Sequence, residues 1–160
     1  MIQPDRDALV DAVRARASWY PGCTEEQALT YACEDVLEST LPTRTLDGGD
    51  VAHAVDAICQ AEDLDTPALS TRRGRRVIAS ADLDTHTLCL ARDDVTMATV
   101  LHEIAHLACA VDTHGVLFRD EFVRLCRAHI GVDHAALLHS LYGGCGLEVS
   151  PWAASGRRPG

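Results

Sequence analysis

The chain of 160 residues contains no lysine, and all 14 of its basic residues are arginines against 24 acidic residues. The missing lysine is typical of codon usage in a G+C-rich genome and indicates nothing about function. The resulting net charge of -10 repels phosphate backbones and anionic lipids at long range. The composition therefore disfavours a general nucleic-acid-binding protein.

Closely spaced cysteine pairs are also missing. No two cysteines form a Cys-x-x-Cys pair, which excludes the usual spacing of a cysteine-based zinc site. In a reducing compartment, scattered cysteines are best interpreted as small buried apolar residues. The chain has seven of them: Cys23, Cys33, Cys59, Cys89, Cys109, Cys126 and Cys145.

Long apolar runs are missing as well. Residues 1–7 are polar and charged, unlike the apolar core of a signal peptide, and no later stretch is long and uncharged enough to span a bilayer. We therefore expect a cytoplasmic protein with no membrane partner. With 47% hydrophobic and 24% charged residues, the chain fits one globular domain. We predict that domain over residues 1–149 and a flexible tail over residues 150–160.

Hydrophobic periodicity predicts helices towards both ends of the chain and short strands between them. The predicted helices near the N-terminus cover residues 5–18, 24–41 and 51–62 and form one helical layer. The predicted strands cover residues 68–71, 77–80 and 87–90, with turns at Gly74 and at residues 82–84. A further helix capped by Asp93 or Asp94 is apolar on almost every side, and two C-terminal helices cover residues 116–130 and 133–141. The predicted fold class is α+β, with N-terminal helices, a small antiparallel sheet of about three strands, a buried central helix and C-terminal helices.

The apolar central helix contains the motif His102-Glu103-Ile104-Ala105-His106. One helical turn separates the two histidines, so both imidazoles lie on one face and can bind a single ion, with Glu103 beside them as the candidate general base. Such motifs also arise by chance on solvated surfaces. Here, however, the polar residues interrupt a buried helix, where they would be costly without partners that a metal and its water can supply. The motif therefore predicts a Zn2+ site.

Three residues compete for the position of third ligand. Asp112 has the metzincin spacing, but Cys109 occupies the position where that pattern requires glycine. Glu121 could act as the downstream glutamate of a thermolysin-like arrangement, although its spacing is short. His114 offers a third neutral nitrogen, precedes Gly115, and lies directly before a helix that would hold it rigidly. We favour His114, because three histidines leave the fourth position of a catalytic zinc open for water.

The motif followed by His-Gly-x-x-Phe at residues 114–118 resembles the core of SprT-like and related minimal zincin domains. The wider layout is similar to a family of small zinc metallohydrolases from high-G+C bacteria that carry His-Glu-x-x-His and a later His-Gly. The similarity covers residues 24–131, of which residues 102–118 are specific. It implies a minimal zincin-like domain in which His102, His106 and His114 bind zinc and Glu103 is catalytic.

These observations predict a zinc-dependent metallohydrolase, and most directly a metallopeptidase whose substrate is a peptide or protein. Glu103 would accept a proton from the attacking water and return it to the leaving amine. The small sheet could present an edge strand to an extended peptide. The alternatives are a zinc hydrolase of non-peptide amides or esters, and a non-enzymatic module stabilised by zinc that binds a partner protein or DNA.

Four arginines around Gly74 form the one basic cluster that could contact a nucleic acid. Arginines at such a turn are more often simply solvated, so a nucleic-acid partner is disfavoured, but it could bind through this cluster. The residues of this cluster are Arg72, Arg73, Arg75 and Arg76.

Overall fold

The structure is a computed structural model, and it describes residues 5–71, 78–92 and 94–156. Over those ranges the chain forms six α-helices, five short strands and one 3-10 turn, so the fold class is α+β as predicted. No helix within them is long and apolar enough to cross a membrane. In chain order the elements are α1 (Arg6–Ala17), α2 (Glu25–Thr40), β1 (Thr45–Asp47), α3 (Gly48–Glu62), β2 (Ala68–Thr71), β3 (Ala79–Asp82), β4 (Thr87–Leu90), β5 (Asp94–Thr96), α4 (Met97–Cys109), α5 (Val116–His129), α6 (Val132–Gly144) and the turn Trp152–Ala154.

The elements group into two compact units. One unit joins the chain up to Pro42 with the chain from His114 onward, and the other covers Thr43–Thr113. The first unit is helical: α1 packs on α2 and α6, and α6 also packs on α2 and α5. Its buried side chains include Val13, Ala32, Cys33, Leu37, Phe118, Phe122, Leu125, Leu138, Leu141 and Tyr142.

Helix α2 begins where the sequence predicts it. The Oγ1 atom of Thr24 accepts a hydrogen bond from the backbone N–H of Gln27 at 3.2 Å, which satisfies one of the free donors of the first turn. Glu25 and Glu26 in that turn add favourable charge at the positive end of the helix dipole. The prediction that the three N-terminal helices form a single layer is wrong for the third helix, however. Helix α3 lies in the unit of residues 43–113, where it packs on α4 and β1.

The sheet differs from the predicted antiparallel meander. Its strand order is β2-β4-β3, so β4 is central, and β2 pairs with β4 in parallel while β3 pairs with β4 antiparallel. A tight hairpin at Gly74 would instead make β2 and β3 neighbours. A parallel pair requires a long crossover connection, and residues 72–86 supply one that contains β3. The arginine cluster and Gly74 lie outside the described residues.

A second sheet of two strands was not predicted. Strands β1 and β5 pair antiparallel, with Leu46 opposite Val95, and both of these side chains are buried. Strand β5 leads directly into α4, and the two residues before β1 accept from the first free backbone donors of that helix. The N–H of Met97 donates to the carbonyl of Arg44 at 2.8 Å, and the N–H of Ala98 donates to Oγ1 of Thr43 at 3.2 Å.

Helix α4 is buried, as its sequence predicts. Val100, Leu101, Ile104 and Ala105 are each at most 1% exposed. The predicted cap is wrong: Asp94 belongs to β5, residue 93 lies outside the described range, and Thr96 caps the helix by accepting from the N–H of Thr99 at 3.2 Å. The β5 strand therefore extends to the first turn of the helix.

The segment after α6 makes several contacts with α5 and α6. Ser150 donates through its N–H and its Oγ to the carboxylate of Asp120, at 2.7 and 2.6 Å. The carbonyl of Ser150 is 2.8 Å from Nε2 of His139, and the Arg127 guanidinium stacks over the Trp152 ring. The single domain over residues 1–149 and the flexible tail over residues 150–160 stay predictions.

Helix α4 ends in a left-handed residue that is not glycine. Ala110 has φ 54° and ψ 37° and is exposed. The side chain of an L-residue costs roughly 1–2 kcal/mol in this conformation, which explains why glycine is the commonest residue there. The turn reverses the chain immediately after Cys109 and starts the loop that leads to His114.

We expect Ala110→Gly to raise the free energy of unfolding by about 1 kcal/mol, because glycine adopts the left-handed conformation without steric cost. The matched control is Ala108→Gly, which makes the same exchange inside the helix and should lower stability by about 0.5–1 kcal/mol. Urea unfolding of the two variants measures both effects. Equal destabilisation by the two exchanges would contradict a left-handed turn at residue 110.

Candidate metal centre

His102 and His106 lie one turn apart on α4, and their rings face each other. The Nε2 atoms of the two imidazoles are 3.3 Å apart, with the ring planes inclined at 65°. Both side chains are buried, because the rest of the helix packs into the core of its unit. The predicted convergence of the two rings on one point is therefore present in the structure.

The loop after α4 orients His106. Nδ1 of His106 is 2.7 Å from the carbonyl oxygen of Val111, so the ring donates its Nδ1 proton there and keeps the Nε2 lone pair for a ligand. Burial and, to a lesser extent, neighbouring His102 lower the pKa of His106 to about 4, against the raising effects of the Val111 carbonyl and Asp112. The imidazole is therefore neutral at physiological pH, which is the form that binds a metal.

Neighbouring residues contact both the ring and the backbone of His114. The ring makes edge contacts with Tyr31 and Phe118, at centroid distances of 4.7 and 4.8 Å. Its carbonyl oxygen accepts a hydrogen bond from Nη1 of Arg119 at 2.7 Å. Gly115 is the residue that precedes the first turn of α5, and its backbone is extended.

The structure brings His102, His106 and His114 together. One nitrogen from each ring lies within 4.8 Å of the others, and all three side chains are buried, so the group could hold a metal ion. The spacing of the first two histidines fits a tetrahedral site. Two nitrogens bound to zinc at about 2.0–2.1 Å lie roughly 3.3 Å apart, which matches the separation of the Nε2 atoms of His102 and His106.

Neither rival third ligand belongs to this group. Asp112 is exposed. Both carboxylate oxygens of Glu121 accept from the guanidinium of Arg124, at 3.0 and 2.7 Å, in a buried bidentate pair. Among the residues that the structure describes, the group has no fourth histidine, cysteine or carboxylate. Cys109, which flanks the motif, donates its Sγ–H to the carbonyl of Ala105 at 2.9 Å.

Glu103 follows His102 on α4 and is also buried. A carboxylate in this position is costly without compensating interactions. Glu103 is next to His102 in sequence and is buried in the same apolar helix. Its role as a proton acceptor stays a prediction.

Sequence reasoning missed Arg119, which connects the third histidine to the rest of its unit. Its guanidinium is buried and donates to three oxygens: the His114 carbonyl, the Glu148 carbonyl at 2.8 Å and the Glu26 carboxylate at 2.7 Å. The sequence signal was weak, because an arginine in the first turn of an amphipathic helix usually faces solvent. Its position five residues after His114 is the one hint available.

Comparisons of the chain with protein-family models, curated proteins and solved structures found no match.

We expect Arg119→Met to lower the free energy of unfolding by about 3 kcal/mol, because two backbone carbonyls lose a charged donor inside the protein. The matched control is Glu26→Gln. Because the Glu26 side chain is 56% exposed, weakening this ion pair alone should cost less than about 1 kcal/mol. Urea unfolding of both variants distinguishes the two contributions. Similar losses in the two variants would show that the ion pair, rather than the bonds to the carbonyls, stabilises this region.

Proposed function

We propose that the protein is a zinc-dependent hydrolase, with peptide bonds as its preferred substrate, in which His102, His106 and His114 hold the ion and Glu103 is the general base. The observation that carries this proposal is the buried group of three imidazole nitrogens within 4.8 Å. Three neutral nitrogen ligands without a fourth protein donor are typical of catalytic zinc, whereas structural zinc usually has four protein ligands that include cysteine.

When bound at this site, zinc would supply a Lewis acid that polarises a carbonyl oxygen and lowers the pKa of a coordinated water towards about 7. The residues of the chain supply the proton transfers. The Glu103 carboxylate would accept a proton from the attacking water and later donate it to the leaving nitrogen of an amide. The Val111 carbonyl would keep the proton of His106 on Nδ1, so that Nε2 stays available throughout the reaction.

Strand β3 supports a peptide as the substrate. It lies at one edge of its sheet, and among the described strands it pairs only with β4. It also packs against α4, the helix that carries His102, Glu103 and His106. An open cleft of about 420 Å³ lies along it, lined by Ser80, Ala81, Asp82, Leu83, Asp84, Cys89 and Asp112. An extended peptide could bind here by adding a strand to the sheet.

The resemblance of residues 102–118 to SprT-like and related minimal zincin domains supports the same chemistry. Hydrolysis of a non-peptide amide or ester would use the same zinc and the same base, because neither selects the acyl group. A partner protein or nucleic acid bound by a zinc-stabilised module is the non-enzymatic alternative.

We expect the purified protein to contain about one zinc ion per chain and His114→Ala to lose it. Removal of a ligand should weaken binding more than the roughly 10–100-fold that removal of an outer hydrogen-bond partner costs. Mass spectrometry of the metal content and thermal unfolding with and without added zinc measure this. The matched controls are Asp112→Asn, which changes the rival ligand, and His53→Ala, which changes an exposed histidine of α3. Loss of zinc in Asp112→Asn and its retention in His114→Ala would make Asp112 the third ligand.

We expect Glu103→Gln to retain zinc and to lower kcat/KM by roughly 10²–10⁴, because the amide cannot accept a proton from water. A library of internally quenched peptides, with simple amides and esters in parallel, provides the assay. Full activity of the variant would show that another group is the base. A zinc-loaded wild-type protein that cleaves none of these substrates, yet unfolds at a lower temperature without zinc, would support the non-enzymatic module instead.

A further inference from the structure

Arg119 holds the two residues that precede α5. Its backbone N–H donates to the carbonyl of Gly115 at 3.0 Å, in the first turn of the helix. Its side chain turns back along the helix and donates from Nη1 to the carbonyl of His114 at 2.7 Å. Arg119 is only 1% exposed, so this bond from a charged donor lies away from water, where it is stronger than at the surface. The peptide group next to the third histidine is therefore fixed by the helix that follows it.

The same guanidinium reaches two segments that are remote in sequence from His114. Nη1 also donates to the carboxylate of Glu26 in α2 at 2.7 Å, and Nε donates to the carbonyl of Glu148 after α6 at 2.8 Å. A buried charge is costly unless its donors are paired, so each of these acceptors helps to keep the guanidinium of Arg119 in place. The backbone of His114 is therefore linked, through one side chain, to the backbone of Glu148.

Residues 147–156, the C-terminal segment, are anchored on both sides of the Glu148 carbonyl. Before it, the N–H of Leu147 donates to the carbonyl of Tyr142 at 2.9 Å. After it, Ser150 donates through its N–H and its Oγ to the carboxylate of Asp120, at 2.7 and 2.6 Å. Asp120 follows Arg119 on α5. The anchor of the C-terminal segment is therefore next in sequence to the residue that receives an acceptor from it.

The ring of His114 contacts the same two helices. It makes edge contacts with Tyr31 of α2 and Phe118 of α5, and Phe118 in turn stacks on Phe122 at a centroid distance of 5.7 Å. These residues, Arg119 and the C-terminal segment all belong to one compact unit. The aromatic contacts restrict the tilt of the imidazole, whereas the bond from Arg119 restricts its backbone.

We propose that Arg119 is the positioning residue of the third metal ligand, and that it couples zinc binding to docking of the C-terminal segment. When the segment is displaced, Arg119 loses the Glu148 carbonyl, its guanidinium holds the His114 carbonyl less firmly, and the ring binds the ion less tightly. By thermodynamic linkage, the zinc-bound protein in turn favours the docked segment. This inference rests on the metal site of the proposed hydrolase, and it applies whichever substrate that site acts on.

The first test is amide hydrogen exchange of the wild-type protein with and without one equivalent of Zn2+. The Ser150 amide reports docking because it donates to Asp120. We expect its exchange to slow by about 5-fold or more when zinc is bound. The control is the Trp19 amide, which donates to the carbonyl of Arg16 at 3.0 Å in the same unit and should not change. Equal slowing of both amides would show general stabilisation and would contradict the coupling.

The second test is the zinc affinity of variants, measured by competition with a chromophoric chelator. We expect Arg119→Gln to bind zinc roughly 10–100-fold less tightly, as loss of an outer hydrogen-bond partner costs, and Arg119→Lys to lie between it and the wild type. Asp120→Ala releases Ser150 without changing Arg119 and should weaken binding by less than about 10-fold. The matched control is Arg124→Met, which removes another buried guanidinium from α5, one that pairs with Glu121. It should lower stability and leave zinc affinity unchanged.

The absorption spectrum of the Co2+-substituted protein separates positioning from stability, because it reports the coordination geometry of the ion. We expect it to change in Arg119→Gln, to recover in part in Arg119→Lys, and to keep its wild-type form in Arg124→Met. Circular dichroism establishes which variants fold. If Arg119→Gln does not, Arg119→Lys and Asp120→Ala decide the question. Wild-type affinity and a wild-type spectrum in both would overturn this proposal and leave the hydrolase proposal intact, whereas a wild-type protein that binds no zinc would overturn both.

Discussion

Three imidazoles and one carboxylate are buried on or just after one apolar helix. The structure around the motif must compensate these groups for the water they lose. Desolvation of these groups is costly unless each finds a partner. The Val111 carbonyl receives one proton of His106, and burial keeps that ring neutral. The two Nε2 atoms of His102 and His106 approach to 3.3 Å. In a metal-free protein this approach is a hydrogen bond in which His102 donates. A cation at the same place would bind both Nε2 atoms, with the proton of His102 held on Nδ1 instead.

The helices and the pairing of the first two histidines could be predicted from the sequence because their determinants are local. Apolar spacing defines α4, and residues four apart on a helix always share a face, so His102 and His106 could be paired without coordinates. Thr24 defines the beginning of α2 in the same local way. His114 was chosen over Asp112 and Glu121 by its chemistry and its place before a helix. The structure brings its ring to the other two and pairs Glu121 with Arg124.

What could not be predicted depends on contacts between residues distant in sequence. A strand of four residues carries no signal for its neighbour, so the parallel pairing of β2 with β4 and the short β1–β5 pair were missed. Thr96 replaced Asp94 as the cap because β5 pairing extends the strand to that residue. The contacts of Arg119 could not be predicted for the same reason, because its three acceptors come from α2, the loop before α5 and the segment after α6. Only the folded chain brings these acceptors to one guanidinium.

The left-handed residue at the end of α4 limits how much chain separates the second histidine from the third. All three rings are carried by residues 102–114, and the reversal at Ala110 closes the loop between the second and third with few residues to order. The entropy of closing so short a loop is small. The nitrogen group therefore depends on a short stretch of chain, whereas the bonds from Arg119 to Glu26 and Glu148 join segments that are remote in sequence. The constraint that brings the rings together and the one that holds the third ring thus act over very different lengths of chain.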